Sequence, residues 1–222
     1  MPKKGSFNES RLVRCGLCES SRLTEFSFVH SRRYLRCEDC LLIFVHKDFH
    51  LTPEAEYQRY LLHENDSKDP LYRDFFSDFL GEILPRLKPQ SRILDFGCGA
   101  DSALGALLRE RGFVVSDYDL YFRHQPELLG KLYDSVLATE VLEHLREPLP
   151  ALRQMLSCLK AGGLLGIMTR LFEDSISFES WHYPRDPTHL CFWSVRSFEV
   201  LADRMGLQPL GVGPKIQIFQ KL

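Results

Sequence analysis

The stretch that most constrains the fold is residues 92–99, where an apolar run ends in an acidic residue and two closely spaced glycines. The apolar residues before Asp95 favour a buried parallel strand. Gly97 and Gly99 favour a tight turn in which a ligand approaches the backbone, because glycine lacks a Cβ and adopts positive φ without strain. A helix that begins just after such a turn directs its backbone N–H groups at an anionic ligand. The stretch therefore predicts a strand, a binding turn and a helix N-terminus.

The segments that follow complete a βαβ unit. Residues 100–112 favour a helix with a glycine at its end, and residues 113–119 favour the next buried strand. Asp119 comes twenty residues after Gly99, a position from which a carboxylate accepts hydrogen bonds from ribose hydroxyls. This spacing predicts a nucleotide-containing ligand. A dinucleotide fingerprint needs a third glycine where this chain has Ser102, which disfavours NAD.

Length and composition limit the class of protein. The 222 residues are 44% apolar and 26% charged, which suits one main domain with a normal core and a small accessory unit. The formal net charge of -2 gives no general attraction to nucleic acid. No apolar run approaches the roughly 18–20 residues that cross a bilayer, and the N-terminus lacks the apolar core of a signal peptide. We therefore expect a cytoplasmic protein with no membrane partner.

Four of the seven cysteines form two close pairs, Cys15 with Cys18 and Cys37 with Cys40. The C-x2-C-x18-C-x2-C spacing is typical of two knuckles that present four thiolates tetrahedrally to Zn²⁺. The other three cysteines stand singly in apolar segments, so the pattern fits a metal site in a reducing compartment better than a disulfide framework. We therefore predict a structural zinc site at these four cysteines.

The predicted zinc ribbon has two interpretations. Zinc can replace the hydrophobic core that so short a segment lacks, and the ribbon then has a purely structural role. Residues 1–47 carry nine basic and five acidic side chains, a mild excess that is compatible with an RNA contact. The sequence alone leaves both interpretations open.

The segment after the ribbon predicts helices. Thr52 followed by Pro53 and two early acidic residues marks a helix start. A second helix is indicated by aromatic and aliphatic residues at helical spacing. These residues are Tyr72, Phe75, Phe76, Phe79, Ile83 and Leu84. Aromatic residues at this spacing are more typical of a core face than of a cofactor pocket.

The glycine turn and its two acidic neighbours resemble the first motif of class I S-adenosylmethionine-dependent methyltransferases, and the small bacterial type with an N-terminal four-cysteine zinc ribbon in particular. In that family an acidic residue precedes G-x-G and a second acidic residue ends the next strand. The resemblance implies that Gly97 and Gly99 line the methionine part of the cofactor. It also implies that Asp95 fixes the glycine turn and that Asp119 holds the ribose. The family's usual third glycine is replaced here by Asp101.

A second motif strengthens the resemblance. Residues 131–139 predict a third buried strand, and an E-x-x-E-H segment follows at residues 140–144. In the methyltransferases, such a segment follows the fourth strand and forms the wall of the cofactor pocket. The remaining cofactor contacts implied by the resemblance are Tyr118, Thr139 and Glu140. Residues 120–132 are too few for two helical crossovers, so we expect a shortened third-strand region.

The fold implied by the resemblance is α/β, with a Rossmann-like seven-stranded methyltransferase sheet and a small N-terminal zinc ribbon. Residues 207–212 and 215–220 are predicted to form the closing antiparallel hairpin. The expected domains are the zinc-ribbon module at 1–50, a helical linker with a cofactor-covering helix at 51–90, and the S-adenosylmethionine-binding domain at 91–222.

The predicted substrate face is the loop at residues 181–193, which is rich in aromatic residues and histidine and follows a predicted core strand. Methyl transfer from a sulfonium is an in-line displacement, and it needs a base only when the nucleophile is protonated. The candidate bases are His144, His182 and His189. Glu140, Glu143 and His144 share one face of a helical turn, and with His189 they are candidate ligands for a second divalent metal. The E-x-x-E-H segment also occurs in metal-free members of the family.

The predicted function is methyl transfer from S-adenosylmethionine to an O, N or C nucleophile of a small molecule. RNA is the alternative acceptor, with the zinc ribbon as its contact. A second alternative is a non-catalytic zinc-ribbon binding protein that retains the cofactor fold. A third is an NAD-dependent oxidoreductase, which Ser102 and residues 140–144 disfavour. The sequence does not predict the oligomeric state.

Overall fold

The computed structural model describes residues 13–62 and 66–222, and within them it contains six α-helices and ten strands. The helices are α1 Pro53–Tyr60, α2 Pro70–Asp74, α3 Ser77–Ile83, α4 Ala103–Arg109, α5 Pro148–Ser157 and α6 Val195–Met205. The strands are β1 Leu23–Val29, β2 Arg32–Cys37, β3 Ile43–Val45, β4 Arg92–Phe96, β5 Val114–Tyr118, β6 Tyr133–Thr139, β7 Leu159–Met168, β8 Cys191–Phe192, β9 Leu207–Val212 and β10 Ile216–Lys221. No helix among these residues is long and apolar enough to cross a bilayer.

The main sheet has the order β5-β4-β6-β7-β10-β9. Strands β5, β4, β6 and β7 are parallel, and β10 and β9 add an antiparallel hairpin. The predicted Rossmann-like fold and the closing hairpin are confirmed, but the sheet has six strands and not seven. Between β5 and β6 the chain makes a turn and a short 3₁₀ helix at Pro126–Gly130, because too few residues are present for a crossover and an extra strand.

Apolar side chains pack on both faces of this sheet. Val136 of β6 packs with the residues of α5 and α6 on one face, while its neighbour Leu137 packs with α3 and α4 on the other. Adjacent strand residues point to opposite faces, so one apolar strand serves both layers. Each fully buried side chain of this size stabilises the fold by about 1.5–3 kcal/mol. The result is a helix–sheet–helix core that fixes the carboxyl ends of β4, β5 and β6.

The helices before β4 differ in part from the prediction. Helix α1 begins as expected, because the Thr52 hydroxyl accepts a hydrogen bond from the Ala55 N–H at 3.2 Å and Pro53 occupies the first turn. The second predicted helix is divided into α2 and α3 at Phe76, whose φ of -91° and ψ of -1° interrupt regular helix geometry. Phe76 and Phe79 are buried in the core and Tyr72 packs against them, which confirms the expected core face for these three residues. Phe75 is 38% exposed and lines a pocket together with Tyr72 and Phe76, so the expectation was wrong for Phe75.

The N-terminal unit forms a second sheet of order β1-β2-β3-β8. Its last strand comes from the other end of the chain, and Ile43 pairs with Phe192. The Cys15 and Cys37 side chains belong to the same buried cluster as residues of β6 and α6. The N-terminal unit therefore shares both a strand and a core with the larger domain. The domain boundaries expected from the sequence stay a prediction.

Candidate active site

A pocket of about 490 Å³ opens at the carboxyl ends of the parallel strands β4, β5 and β6. This is the edge at which open α/β sheets bind ligands. The residues predicted to contact a cofactor all line it, namely Asp95, Gly97, Gly99, Tyr118, Asp119, Thr139 and Glu140. Of the three candidate bases, His144 and His189 line the pocket. His182 is exposed and is not among the lining residues, so its position does not support a catalytic role.

The glycine turn after β4 is shaped for close approach. Gly97 has a φ of +79° and Gly99 a φ of +71°, a region that residues with a Cβ rarely adopt. A Cβ on Gly97 would lie 2.5 Å from Val141 Cγ2. The Gly97 N–H donates to the Tyr118 carbonyl at 2.7 Å, and the Gly99 N–H donates to Asp119 Oδ2 at 3.0 Å. The end of β5 thus holds the turn in a conformation that only glycine fits.

Asp95 acts on a different part of the turn from the one expected. Its buried carboxylate lies 3.0 Å from the Ser102 hydroxyl, which also lies 2.8 Å from Asp117 Oδ1. Burial, and then the charge of Asp117, raise the pKa of Asp95 to about 7. No hydrogen bond joins the Asp95 side chain to the backbone of Gly97 or Gly99 in the described residues, and Asp119 makes that contact. Asp95 therefore contacts the end of the turn and the start of α4 through Ser102, and its role in cofactor binding stays a prediction.

Asp101, at the position of the missing third glycine, is also accounted for. Its Oδ2 accepts a hydrogen bond from the Ser67 backbone N–H at 2.8 Å, and this contact is the main reason that its pKa is lowered. The side chain therefore anchors the segment before α2. Arg73 on α2 adds a 3.1 Å hydrogen bond to the Ser67 carbonyl and a 2.5 Å ion pair with Glu110. The substitution leaves the turn intact and fixes the helix that lies over the pocket.

The segment after β6 buries two carboxylates beside the pocket. Glu140 has a φ of +53°, uncommon for a residue with a side chain. Glu143 is fully buried, and its Oε1 accepts a hydrogen bond from the Tyr183 hydroxyl at 2.5 Å. Glu140 Oε1 and Glu143 Oε2 are buried with no hydrogen-bond partner among the described residues. Burial raises the pKa of both, that of Glu140 to about 8.

Two histidines meet at the same place. The rings of His144 and His189 have centroids 4.8 Å apart. Each Nδ1 lies against a carbonyl oxygen, that of Thr188 at 3.1 Å for His144 and that of Tyr183 at 2.8 Å for His189. A carbonyl only accepts, so each Nδ1 is the donor and Nε2 carries the lone pair of the neutral ring. Burial, and then His144, lower the pKa of His189 to about 3.

The second predicted metal cluster is reproduced in part. Ligand atoms of Glu143, His144 and His189 lie within 4.8 Å of one another, and Glu140 is not in this group. The set combines a carboxylate and two imidazoles, donors that suit Zn²⁺, Mn²⁺ and related ions. The unpartnered Glu143 Oε2 is the observation that favours a ligand at this place.

The pocket has an aromatic wall that the sequence patterns did not indicate. Tyr60 on α1 and Tyr121 in the turn after β5 have ring centroids 5.5 Å apart, and Tyr60 lies 5.4 Å from the His144 ring. The Tyr60 hydroxyl donates to Glu56 at 3.1 Å, and Glu56 also pairs with Arg146. The sequence around Tyr60 gave little indication of this wall, because α1 has no strong apolar face. The wall forms only where α1 packs against the distant turn that carries Tyr121.

Comparison with known proteins decides the family. A family model described as a methyltransferase domain matches residues 69–211, more than half of the chain. The chain belongs to this methyltransferase family. Together with the glycine turn and the parallel sheet, the match confirms the class I S-adenosylmethionine-dependent type expected from the motifs. S-adenosylmethionine is the cofactor that the family implies.

Solved structures agree with this fold. The methyltransferase is similar to the PH0226 protein from Pyrococcus horikoshii OT3, with 16% identity, a TM-score of 0.51, and 74% of this chain and 99% of that chain covered. It is also similar to a SAM dependent methyltransferase from Archaeoglobus fulgidus, with 17% identity, a TM-score of 0.51, and 67% and 94% covered. At this identity the likeness shows the fold alone. No match was found among curated proteins.

The methyltransferase also brings the four paired cysteines together. Their sulfur atoms all lie within 4.8 Å of one another, with Cys15 to Cys40 and Cys18 to Cys37 both at 3.4 Å. Four sulfurs around Zn²⁺ at about 2.3 Å would be separated by about 3.8 Å, so a small outward shift fits the ion. None of the seven cysteines forms a disulfide. The hydrogen bond from Cys40 lowers the pKa of Cys15 to about 5, against the effect of burial.

Proposed function

We propose that the protein transfers the methyl group of S-adenosylmethionine to an O, N or C nucleophile of a small molecule. The observation that carries the proposal is that one pocket extends from the glycine turn to the aromatic wall of Tyr60 and Tyr121 and to His144. A volume of about 490 Å³ lies in the range of small-ligand sites. The pocket therefore has room for a donor at the turn and an acceptor at the wall.

The cofactor would supply an electrophilic methyl group, and the residues of the chain would orient it. The backbone at Gly97 and Gly99 would lie along its methionine part, and Asp119 would accept from its ribose hydroxyls. Asp119 already accepts N–H groups of Gly99, Tyr121 and Phe122, at 2.8–3.0 Å. Two carboxylate oxygens offer about four acceptor sites, so one remains for a ribose hydroxyl.

The acceptor would bind between the aromatic wall and the two histidines. Tyr60 and Tyr121 would cover it and exclude water, which favours an in-line displacement. His189 is a poor proton acceptor in this environment, because its lowered pKa keeps the neutral ring weakly basic. This argues against His189 as an isolated general base.

A second candidate feature is a divalent cation at Glu143, His144 and His189. Glu143 Oε2 favours it, because among the described residues this buried oxygen has the carboxyl of Glu140 beside it, a like-charged group, and a cation would satisfy it. A cation there would lower the pKa of an acceptor hydroxyl. This version of the proposal restricts the nucleophile to oxygen.

The contacts of the described arginines in the N-terminal unit support a small molecule as the acceptor. The described arginines of the N-terminal unit are engaged with protein groups. Their partners are the Glu19 carbonyl for Arg14, Asp39 for Arg22, Glu25 for Arg33 and Asp174 for Arg36, while Arg32 is buried. An RNA-binding face requires basic side chains that are available to phosphates.

The test is methyl transfer from radiolabelled S-adenosylmethionine to fractions of a small-molecule extract and to total RNA. We expect binding of the cofactor by calorimetry and label in a small-molecule fraction, at a rate that changes little with salt. Label in RNA that falls steeply as salt rises would establish the RNA alternative. Cofactor binding without transfer to either fraction would support the non-catalytic alternative. Thermal stabilisation by NADH alone would support the alternative of an NAD-dependent oxidoreductase. Mass spectrometry of any co-purified ligand would identify the acceptor directly.

A further inference from the structure

Arg32 of β2 reaches from the N-terminal unit into the loop that carries His189. The residue is 7% exposed. Its Nη1 donates to the carbonyls of Pro187 at 3.0 Å and His189 at 3.1 Å. Its Nη2 donates to the carbonyls of Asp186 at 3.0 Å and Pro184. One guanidinium therefore binds four carbonyl oxygens within six residues of loop.

The loop needs such a partner. Pro184 and Pro187 have no backbone N–H, so the chain around them cannot satisfy its own carbonyls by a regular hydrogen-bond pattern. The guanidinium is planar and offers five N–H donors in a rigid fork, whereas a lysine ammonium offers three donors on a flexible stem. The buried charge of Arg32 is stabilised here by four carbonyl dipoles, and the negative charge of Asp186 also acts on it.

The same loop determines how both pocket histidines are oriented. The Thr188 carbonyl lies against His144 Nδ1, and the Tyr183 carbonyl lies against His189 Nδ1. The Leu190 N–H donates to the Glu143 carbonyl at 2.7 Å. A shift of this loop would therefore change the tautomer and direction of the two rings at once.

We propose that Arg32 is a positioning residue for methyl transfer, through which the N-terminal unit holds the loop at residues 183–190 and orients His144 and His189 toward the acceptor. The proposal rests on the proposed function of the pocket. It gives the N-terminal unit a role in the active site that requires no contact between that unit and the substrate. The glycine turn and Asp119 lie on other elements. Loss of Arg32 should therefore change the orientation of the two histidines and leave cofactor binding unchanged.

The experiment compares Arg32→Met and Arg32→Lys with wild type in the full chain. Arg22→Met is the matched control, because Arg22 lies in the same unit, has a 65% exposed side chain and pairs only with Asp39 of that unit in the described residues. The readouts are imidazole ¹⁵N–¹H signals, amide hydrogen exchange at residues 183–190, and the dissociation constant of S-adenosylmethionine.

We expect Arg32→Met to move the His144 and His189 signals and to speed exchange in the loop by about tenfold or more. Its cofactor dissociation constant should stay within about threefold of wild type, as should that of the control. Arg32→Lys should give an intermediate effect, and it keeps the test decisive if Arg32→Met does not fold. Unchanged imidazole signals and loop exchange in Arg32→Lys, and in any folded Arg32→Met, would overturn the proposal. Failure of the wild type to bind S-adenosylmethionine would instead count against the proposed function, since the imidazole and exchange readouts need no cofactor.

Discussion

The Asp119 carboxylate accepts a hydrogen bond from the Gly99 backbone N–H at 3.0 Å, and its other oxygen accepts the N–H groups of Tyr121 and Phe122. One side chain at the end of β5 therefore holds the glycine turn and the aromatic wall in a fixed relation. The turn proposed to hold the cofactor and the wall proposed to hold the acceptor therefore depend on the same residue. Substitution of Asp119 should disturb both.

Asp119→Ala should weaken S-adenosylmethionine binding by about tenfold to a hundredfold, because it removes three charge-assisted hydrogen bonds and leaves the Gly99 N–H without its partner. Asp119→Asn keeps one carbonyl oxygen and should lie between the two. Calorimetric titration measures the effect. Asp203→Ala, at an exposed position on α6, is the control and should bind like wild type. Equal affinity in Asp119→Ala and the control would contradict the assigned role.

The pKa of Asp95 predicts a pH dependence of stability. Burial raises this pKa from 3.8 to about 7, so between these values the folded state holds a proton that the unfolded state has lost. The free energy of unfolding should therefore decrease as pH rises from about 4 to 7, by up to about 1.4 kcal/mol per pH unit. Glu140 and Glu143, whose pKa values are also raised, act in the same direction.

Asp95→Asn isolates the contribution of Asp95. The amide is close in shape, still accepts from Ser102 and does not ionise. Urea unfolding at several pH values should show a shallower decrease for the variant. Its free energy of unfolding should rise relative to that of wild type between pH of about 4 and 7, and the difference should stay constant above about 7. Parallel pH profiles for the two proteins would show that Asp95 is not the group responsible.

The parts of the fold that the sequence predicted well depend on local patterns. Thr52 and Pro53 mark the start of α1, and Gly97 and Gly99 mark the turn, because capping and positive φ are properties of one or two residues. The six-stranded sheet was harder to predict. The short segment at residues 120–132 excluded a full crossover, but only the structure shows that the third strand is lost altogether.

The parts of the site that the sequence did not predict depend on contacts between distant segments. Tyr60 and Tyr121 meet across the pocket, and neither stands in a motif. Arg32 counted as one of several basic residues of the N-terminal unit, and nothing in its neighbourhood indicates that it binds a loop more than 150 residues away. His182 and His189 are equivalent in the sequence, and only the fold exposes one and directs the other into the pocket.

The four-cysteine cluster predicts about one zinc ion per chain with a structural role. Cys18→Ser should abolish zinc binding and lower the midpoint of thermal unfolding, because the cluster shares its buried core with β6 and α6. Metal content by mass spectrometry and a thermal scan measure the two effects. Cys98→Ser, outside the cluster, should retain the zinc. Zinc content that is unchanged in Cys18→Ser would refute a four-thiolate site.

The cluster of Glu143, His144 and His189 predicts a second metal ion that is bound independently of the cysteines. After equilibration with Mn²⁺ or Mg²⁺ and removal of free ions, the wild type should hold two metals per chain, zinc at the cysteines and one divalent cation at the pocket. Glu143→Gln keeps the side-chain shape but removes the charge, so it should lose the divalent cation and keep the zinc. Glu143→Ala should lose it as well. Glu147→Gln, at an exposed position on the same segment, should retain both metals. A total of one metal that neither Glu143 substitution changes would exclude the cation and leave methyl transfer to be driven by positioning and water exclusion, with Glu143 as a buried hydrogen-bond acceptor for Tyr183.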